Sequence, residues 1–189
     1  MIDPKFLWHH AICTALIARD LCRAIPQYRN MSVFTAGLLH DVGKIFFLEK
    51  FADIYRQIYA DKVQYDMPLF ELEEDYLGMN HAIIGNHLSL NWNLPQHLVQ
   101  AISYHHQPAS AASHPELAAL IGLADYLYYK ALSLKQNSQE SCDHDHWLTV
   151  GHWTFLTRLF QDMGQEKLAE MTRVAESIIR ENQDCLAMS

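Results

Sequence analysis

His40 and Asp41 stand next to each other at the end of an apolar run, with glycines at 37 and 43 and a lysine at 44. An imidazole nitrogen, a carboxylate and a nearby ammonium suit a divalent cation that carries an anionic ligand such as phosphate. Within one helix, neighbouring residues diverge by about 100°, so both reach one site only over the helix edge. Lys44 follows His40 by four residues and Asp41 by three, which lays its stem along the same face. Gly37 and Gly43 carry no Cβ and admit a second helix, or an ion, close to the backbone. Alone the pair proves little. About 0.8 His-Asp dipeptides are expected by chance at this composition, and a second, His144-Asp145, is present. The first gains weight only if further ligands converge on it.

The elements that must bring them there read as helices. Asp3-Pro4 starts the first, with Asp as cap and Pro at the first helical position, and Leu7, Ala11, Thr14, Ala15, Ala18, Leu21 and Cys22 recur at helical spacing up to the break before Pro26. His10 falls beside that stripe, where a lone histidine is more often a packed core residue than a ligand; His9 is rotated away from it. Asn30 or Ser32 caps a second helix that runs through Phe34, Leu38 and Leu39 into His40-Asp41. Phe51–Val63 reads as a third, with Ile54, Tyr55, Ile58 and Tyr59 inward. After Pro68, Leu69–Leu77 is a short acidic helix whose Glu71, Glu73, Glu74 and Asp75 read as a solvated face.

Asn80 caps a helix with His81, Ile84, Gly85, Leu88 and Trp92 on one side. Leu94-Pro95 opens the next, where Leu98, Val99, Ala101 and Ile102 lead onto His105 and His106. Burying two histidines without partners is costly. Ser113-His-Pro-Glu116 has the form of a capping box ahead of Leu117–Leu132, a helix apolar nearly all round with Asp125 embedded in it. A carboxylate there must be neutral, paired with a base or bound to metal. Polar residues Lys135–Asp145 end the main domain, assigned to 1–132, and Cys142-Asp-His-Asp-His146 within them reads as a solvated loop. Leu148–Met163 and Glu166–Asn182 close the chain as two helices, so 133–189 form a helical extension packed on the domain, with Trp153, Phe155, Leu156, Leu159 and Phe160 inward.

Composition narrows the classes. Half of the 189 residues are apolar and only 7 are Gly and 6 Pro, which suits a compact globular chain. A net charge of −8 argues against a nucleic-acid duplex or an anionic membrane as partner. Cys13, Cys22, Cys142 and Cys185 form no C-x-x-C pair and read as ordinary thiols of a reducing compartment. The N-terminus lacks the pattern of a signal peptide, and runs such as Ala11–Ala18 and Ala118–Ala124 are too short for a membrane span. A soluble, cytoplasmic protein is expected. No strand run, P-loop, G-x-S-x-G or G-x-G-x-x-G stands out.

His10, His40, Asp41, His81, His105, His106 and Asp125 together would hold one or two divalent ions in an all-helical bundle. Nitrogen and oxygen ligands without thiolate suit Fe, Mn, Zn or Ni, and Asp41, with two oxygens, is the natural bridge. The chain resembles the HD superfamily of metal-dependent phosphohydrolases, whose helix-borne His, HD pair and distant Asp match His10, His40-Asp41 and Asp125. More narrowly it is similar to the HDOD family, through Trp8-His-His10, Ala36-Gly-Leu-Leu-His-Asp-Val-Gly-Lys44, His81-Ala with Gly85, Trp92-Asn-Leu-Pro95, His105-His-Gln-Pro108 and Leu123-Ala-Asp125. These pieces cover residues 5 to about 132 in order.

The resemblance implies an all-α fold and a metal centre. It leaves two functions open: hydrolysis of a phosphoester such as a nucleotide or cyclic nucleotide, or a regulatory module of the HDOD kind that binds a nucleotide or a signalling partner without turnover. Many HDOD members have lost metal ligands, whereas this chain keeps the full set, which favours a working metal site and hydrolysis. On that reading Lys44 contacts a phosphate oxygen. Members usually carry a helical segment before the first histidine, and here the chain begins almost at that helix. His81, His105 and His106 are also positions shared with HD-GYP phosphodiesterases of cyclic di-GMP, but Gln107-Pro-Ala-Ser110 stands where the Gly-Tyr-Pro segment should follow.

Overall fold

An apolar 21-residue helix, α8 (Pro115–Lys135), forms the centre of the molecule. The structure is a computed structural model and describes residues 4–23, 25, 32–65, 67–135, 148–160 and 163–183. In chain order the other helices are α1 (Pro4–Cys22), α2 (Val33–Leu39), α3 (Val42–Lys50), α4 (Ala52–Tyr65), α5 (Leu69–Leu77), α6 (His81–Asn91), α7 (Gln96–Tyr104), α9 (Val150–Leu159) and α10 (Gln165–Glu181). A 3-10 turn, Pro108–Ser110, separates α7 from α8. The fold is all-α, with no strand among the described residues.

Because α8 is apolar on nearly every side, it is stable only when covered all round. Helices α1, α7, α9 and α10 do this, and Leu117, Leu120, Ile121, Leu123 and Leu127 belong to one core with Ile17, Ala101, Leu156 and Ala175. By length and apolarity Pro115–Leu134 could cross a membrane, but 72% of that window is buried inside the bundle. A second, smaller core packs Phe47, Tyr55, Ile58, Leu69 and Leu72 from α3, α4 and α5 against Ile84 of α6. The polar site lies where the two cores meet.

Close backbone approaches draw the site together. A Cβ on Gly37 would lie 2.7 Å from Ala15 Cα, and one on Gly43 2.0 Å from the carbonyl oxygen of His81, so α2 rests on α1 and α3 on the start of α6. Only glycine permits either contact.

Several expected boundaries differ. The helix carrying His40-Asp41 does not continue through the pair: α2 stops at Leu39, Asp41 has φ −99° and ψ 12°, and α3 begins at Val42. Aspartate favours the first position of a helix over its interior, yet Asp41 makes no side-chain cap because its carboxylate points into the site. The two residues therefore need not diverge as helix neighbours do. Phe51 lies between α3 and α4, and Ile54 is exposed while Tyr55 and Ile58 are buried. Asn80 caps α6 as expected, accepting from the Ile83 N–H at 3.0 Å. Helix α8 begins one residue later than a Ser113 cap requires, preceded by His114 at φ 54°. Asp3, Asn30, His144-Asp145 and the Cys142–His146 cluster lie outside the described residues.

Candidate metal centre

Four donor atoms from three places in the fold meet in the buried seam. His10 of α1, His40 and Asp41 at the α2–α3 break and Asp125 of α8 are at most 7% exposed. His10 Nε2 lies 3.0 Å from Asp41 Oδ2, 3.2 Å from Asp125 Oδ1 and 3.2 Å from His40 Nε2. His40 Nε2 is 3.3 Å from Asp41 Oδ2 and 3.7 Å from Asp125 Oδ1. An ion with ligands about 2.1 Å away spaces neighbouring donors about 3.0 Å apart in an octahedron and about 3.4 Å in a tetrahedron. These separations fit that frame.

A second group adjoins the first through Asp41. His81, the first residue of α6, places Nε2 3.2 Å from Asp41 Oδ1, and His105, just past α7, places its own at 4.0 Å. His106 Nε2 approaches His81 Nε2 to 2.9 Å. One oxygen of Asp41 thus faces His10 and His40 while the other faces His81 and His105. Three overlapping sets could each hold an ion: His10, His40 and Asp125; His40, Asp41 and His105; and His81, His105 and His106.

The backbone and one carboxylate fix which nitrogen each ring presents. Nδ1–H of His40 donates to Gly37 O at 2.7 Å, that of His105 to Ile102 O at 2.8 Å and that of His81 to Glu73 Oε2 at 2.6 Å. In each neutral ring the lone pair is then on Nε2, facing the seam. Outer partners of this kind orient metal-binding histidines. Meanwhile Asp41 Oδ1, Asp125 Oδ1 and His105 Nε2 are fully buried with no hydrogen-bond partner. Such groups are expensive to bury unless something satisfies them, and the donor set fits a divalent cation.

Protonation follows the same geometry. Burial disfavours charge on His40, but Asp41 and Asp125 overcome it and push its pKa up to about 10. Burial, reinforced by neighbouring imidazoles, holds His105 and His106 well below the ordinary histidine range. Burial alone would raise Asp41 and Asp125; His40 and Lys44 around Asp41, and His10 and His40 around Asp125, keep both well below the usual carboxylate range. Lys44 is 4% exposed and sets its ammonium 2.5 Å from Asp41 Oδ2.

All seven ligands expected from sequence meet here, and Lys44 joins them. Glu73 departs from expectation: instead of facing solvent it is wholly buried, accepting from the Tyr55 hydroxyl at 2.5 Å, the His81 N–H at 2.8 Å and His81 Nδ1–H. Its signal was present, since Leu69, Leu72 and Glu73 share one face at offsets of three and four. His152 of α9 carried no such signal. Its Nε2–H donates to the carbonyl of His105 at 2.7 Å while Nδ1 accepts from the Thr149 N–H at 3.1 Å. His9, expected to turn away, is buried with Nδ1 3.0 Å from the Tyr128 hydroxyl.

Residues 1–108 match the family model for the HDOD domain, a span holding every candidate ligand except Asp125. An uncharacterized protein of Treponema pallidum (strain Nichols) is 26% identical over 125 residues, 65% of this chain and 24% of that protein. Among crystal structures, an HDOD domain protein of unknown function from Geobacter sulfurreducens covers 100% of this chain with a TM-score of 0.77 at 20% identity. A protein from Shewanella amazonensis named as a candidate phosphohydrolase covers 96% with a TM-score of 0.66 at 22% identity. One from Marinobacter aquaeolei, named as a candidate signal transduction protein, covers 96% with a TM-score of 0.69, also at 22% identity. The chain spans 64%, 65% and 39% of those three chains, respectively.

Proposed function

Because the chain belongs to the HDOD domain family, with the metal-ligand set of the wider HD superfamily intact, we propose that it is a metal-dependent phosphohydrolase. The observation that carries this reading is the division of Asp41 between two imidazole groups, with buried Asp41 Oδ1, Asp125 Oδ1 and His105 Nε2 lacking hydrogen-bond partners. One or two ions of Fe, Mn, Zn or Ni, bound by His10, His40, Asp41, His81, His105, His106 and Asp125, would supply an acidified water and a charge to receive a phosphate. Asp41 is the bridge between the two groups. Glu73 holds His81 with Nε2 inward, and Lys44 balances the Asp41 charge at Oδ2 beside the phosphate position. The substrate class is a phosphoester, with nucleotides and cyclic nucleotides among the compounds to try. Residues 1–132 form the metal-binding unit and 133–189 its extension, in a cytoplasmic protein with neither a nucleic-acid duplex nor a membrane as partner.

A second reading keeps the metal and drops the turnover, leaving a signalling module that binds a nucleotide or a protein partner. The likeness to the Marinobacter protein, and a cavity of only about 10 Å³ beside His81, His106 and Asp125, favour it. One experiment separates the two. Protein loaded with manganese or iron should hydrolyse p-nitrophenyl phosphate or its bis-ester, with nucleotides and cyclic dinucleotides tested alongside. Lys44→Ala should weaken turnover with metal content intact, and His81→Ala should take the metal count from two towards one. A fully metallated protein that turns over none of these, yet binds a nucleotide or a partner, is the regulatory module.

A further inference from the structure

His10 is held differently from three of its fellow ligands. His40, His81 and His105 each donate Nδ1–H to an acceptor outside the seam, whereas His10 Nδ1 is buried without a hydrogen-bond partner. Packing keeps its ring in place, with the Tyr128 ring edge-on at 4.6 Å and the Tyr129 ring at 5.1 Å between centroids. One turn further along α1, Thr14 is wholly buried as well, and its Oγ1 likewise has no partner.

A threonine inside a helix has an outlet close by, since its hydroxyl can donate to the carbonyl four residues back. Thr154, Thr157 and Thr172 all do so, at 2.8, 2.9 and 2.8 Å. Thr14 does not, although the carbonyl four back is that of His10 itself. Residues four apart share a helix face, and the Cα–Cβ bond of Thr14 tilts back over the turn that carries His10. Two unsatisfied polar atoms therefore lie one turn apart on one buried face, and the hydroxyl of the pair can both accept and donate.

The tautomer of His10 connects them. With its proton on Nε2, the ring faces Asp41 Oδ2 at 3.0 Å and Asp125 Oδ1 at 3.2 Å, and Nδ1 keeps only a lone pair. Ligation through Nε2 demands the other tautomer, in which Nδ1 carries the proton, and a buried N–H needs an acceptor. We propose that Thr14 is the positioning residue of His10: its hydroxyl oxygen accepts Nδ1–H and holds the ring in the tautomer that offers Nε2 to a metal. The contact belongs to the ligated tautomer alone, which is why both atoms are unsatisfied in the other. The inference rests on the metal-dependent reading above and gives His10 the outer partner that Gly37, Glu73 and Ile102 supply to His40, His81 and His105.

Zinc and manganese titrated separately into chelator-stripped protein, in competition with a chromogenic chelator, test it, beside urea unfolding of the same stripped proteins. Thr14→Val keeps the shape and removes the hydroxyl, so it should bind each ion about tenfold more weakly than the wild type. Thr14→Ser keeps the hydroxyl and should stay within about threefold of it. Stripped Thr14→Val should unfold at the wild-type urea midpoint or above it, because a buried hydroxyl without a partner adds no stability. A merely structural threonine would instead lower the midpoint and the affinity together. Wild-type affinity in Thr14→Val overturns the role of Thr14, and so does an equal loss in Thr14→Val and Thr14→Ser or a lowered midpoint of stripped Thr14→Val. A wild type that takes up neither ion overturns the metal reading itself, before any variant is compared.

Discussion

Glu73 is the residue on which most of the second imidazole group depends. Three donors converge on its carboxylate, and two come from His81. Replacing it with alanine strands the Tyr55 hydroxyl and the His81 N–H in the interior, at about 1–3 kcal/mol for each unsatisfied group. It also frees the His81 ring to rotate or change tautomer. Glu73→Ala should lower metal affinity by about 10–100-fold in competition with a chelator, the usual scale for losing an outer partner of a ligating histidine. Unchanged affinity would mean that His81 is oriented by packing alone. A run of four acidic residues in five hid this role, because most such runs are solvated and Glu71 and Glu74 are in fact exposed. The ligands themselves were easier to read, since an aspartate inside an apolar helix and two histidines ending an apolar stripe have few alternatives to pairing or metal.

At the scale of elements, the helix break at His40-Asp41 was hidden from sequence because Leu38, Leu39, Phe46 and Phe47 carry apolar character across it. What interrupts the helix is tertiary: the Asp41 carboxylate faces His10 of α1 and His81 of α6 across the seam. The link from α9 was equally invisible, because an ordinary histidine after a threonine gives no hint of a partner 47 residues earlier. His152→Ala removes that bond to His105 and half of the α9 capping box, so unfolding in urea should show a loss of about 1–3 kcal/mol.

The same helices set the pH response of chelator-treated protein. Burial holds His105, His106 and His152 below the ordinary value, so the unfolded chain takes up their protons first. Their stabilising contribution is complete above about pH 6.5 and declines as the pH falls below it. His40 acts in the opposite sense: raised to about 10, it stabilises fully below about pH 6.5 and loses that contribution as the pH rises through its folded value. Urea midpoints measured without metal should therefore fall on both sides of neutrality. A midpoint flat from about pH 5 to about pH 10 would contradict these environments.

Seen whole, the molecule is two apolar cores joined across a polar seam, and the candidate ligands come from both sides of it. His81 starts the helix that closes the smaller core, whereas His10 and Asp125 sit on helices of the larger. An ion bound only by the native chain would tie the cores together and add its binding free energy to folding, about 2.7 kcal/mol at a hundredfold excess over Kd. Chelation should lower the melting temperature of metal-loaded protein, and an indifferent melting curve would count against the seam as a metal centre. The larger core and the all-α class were legible because the apolar periodicity is strong. The meeting of the cores was not, since it depends on polar contacts such as those of Asp41 with His10 and His81, which come from helices distant in sequence.

The most direct test is elemental analysis of protein purified without added metal, beside Asp41→Ala prepared in the same way. Wild-type protein should carry close to one or two equivalents of Fe, Mn, Zn or Ni per chain, and the variant, deprived of the carboxylate facing both groups, should lose most of it. Equal trace metal in the two proteins would contradict the metal centre and, with it, metal-dependent hydrolysis.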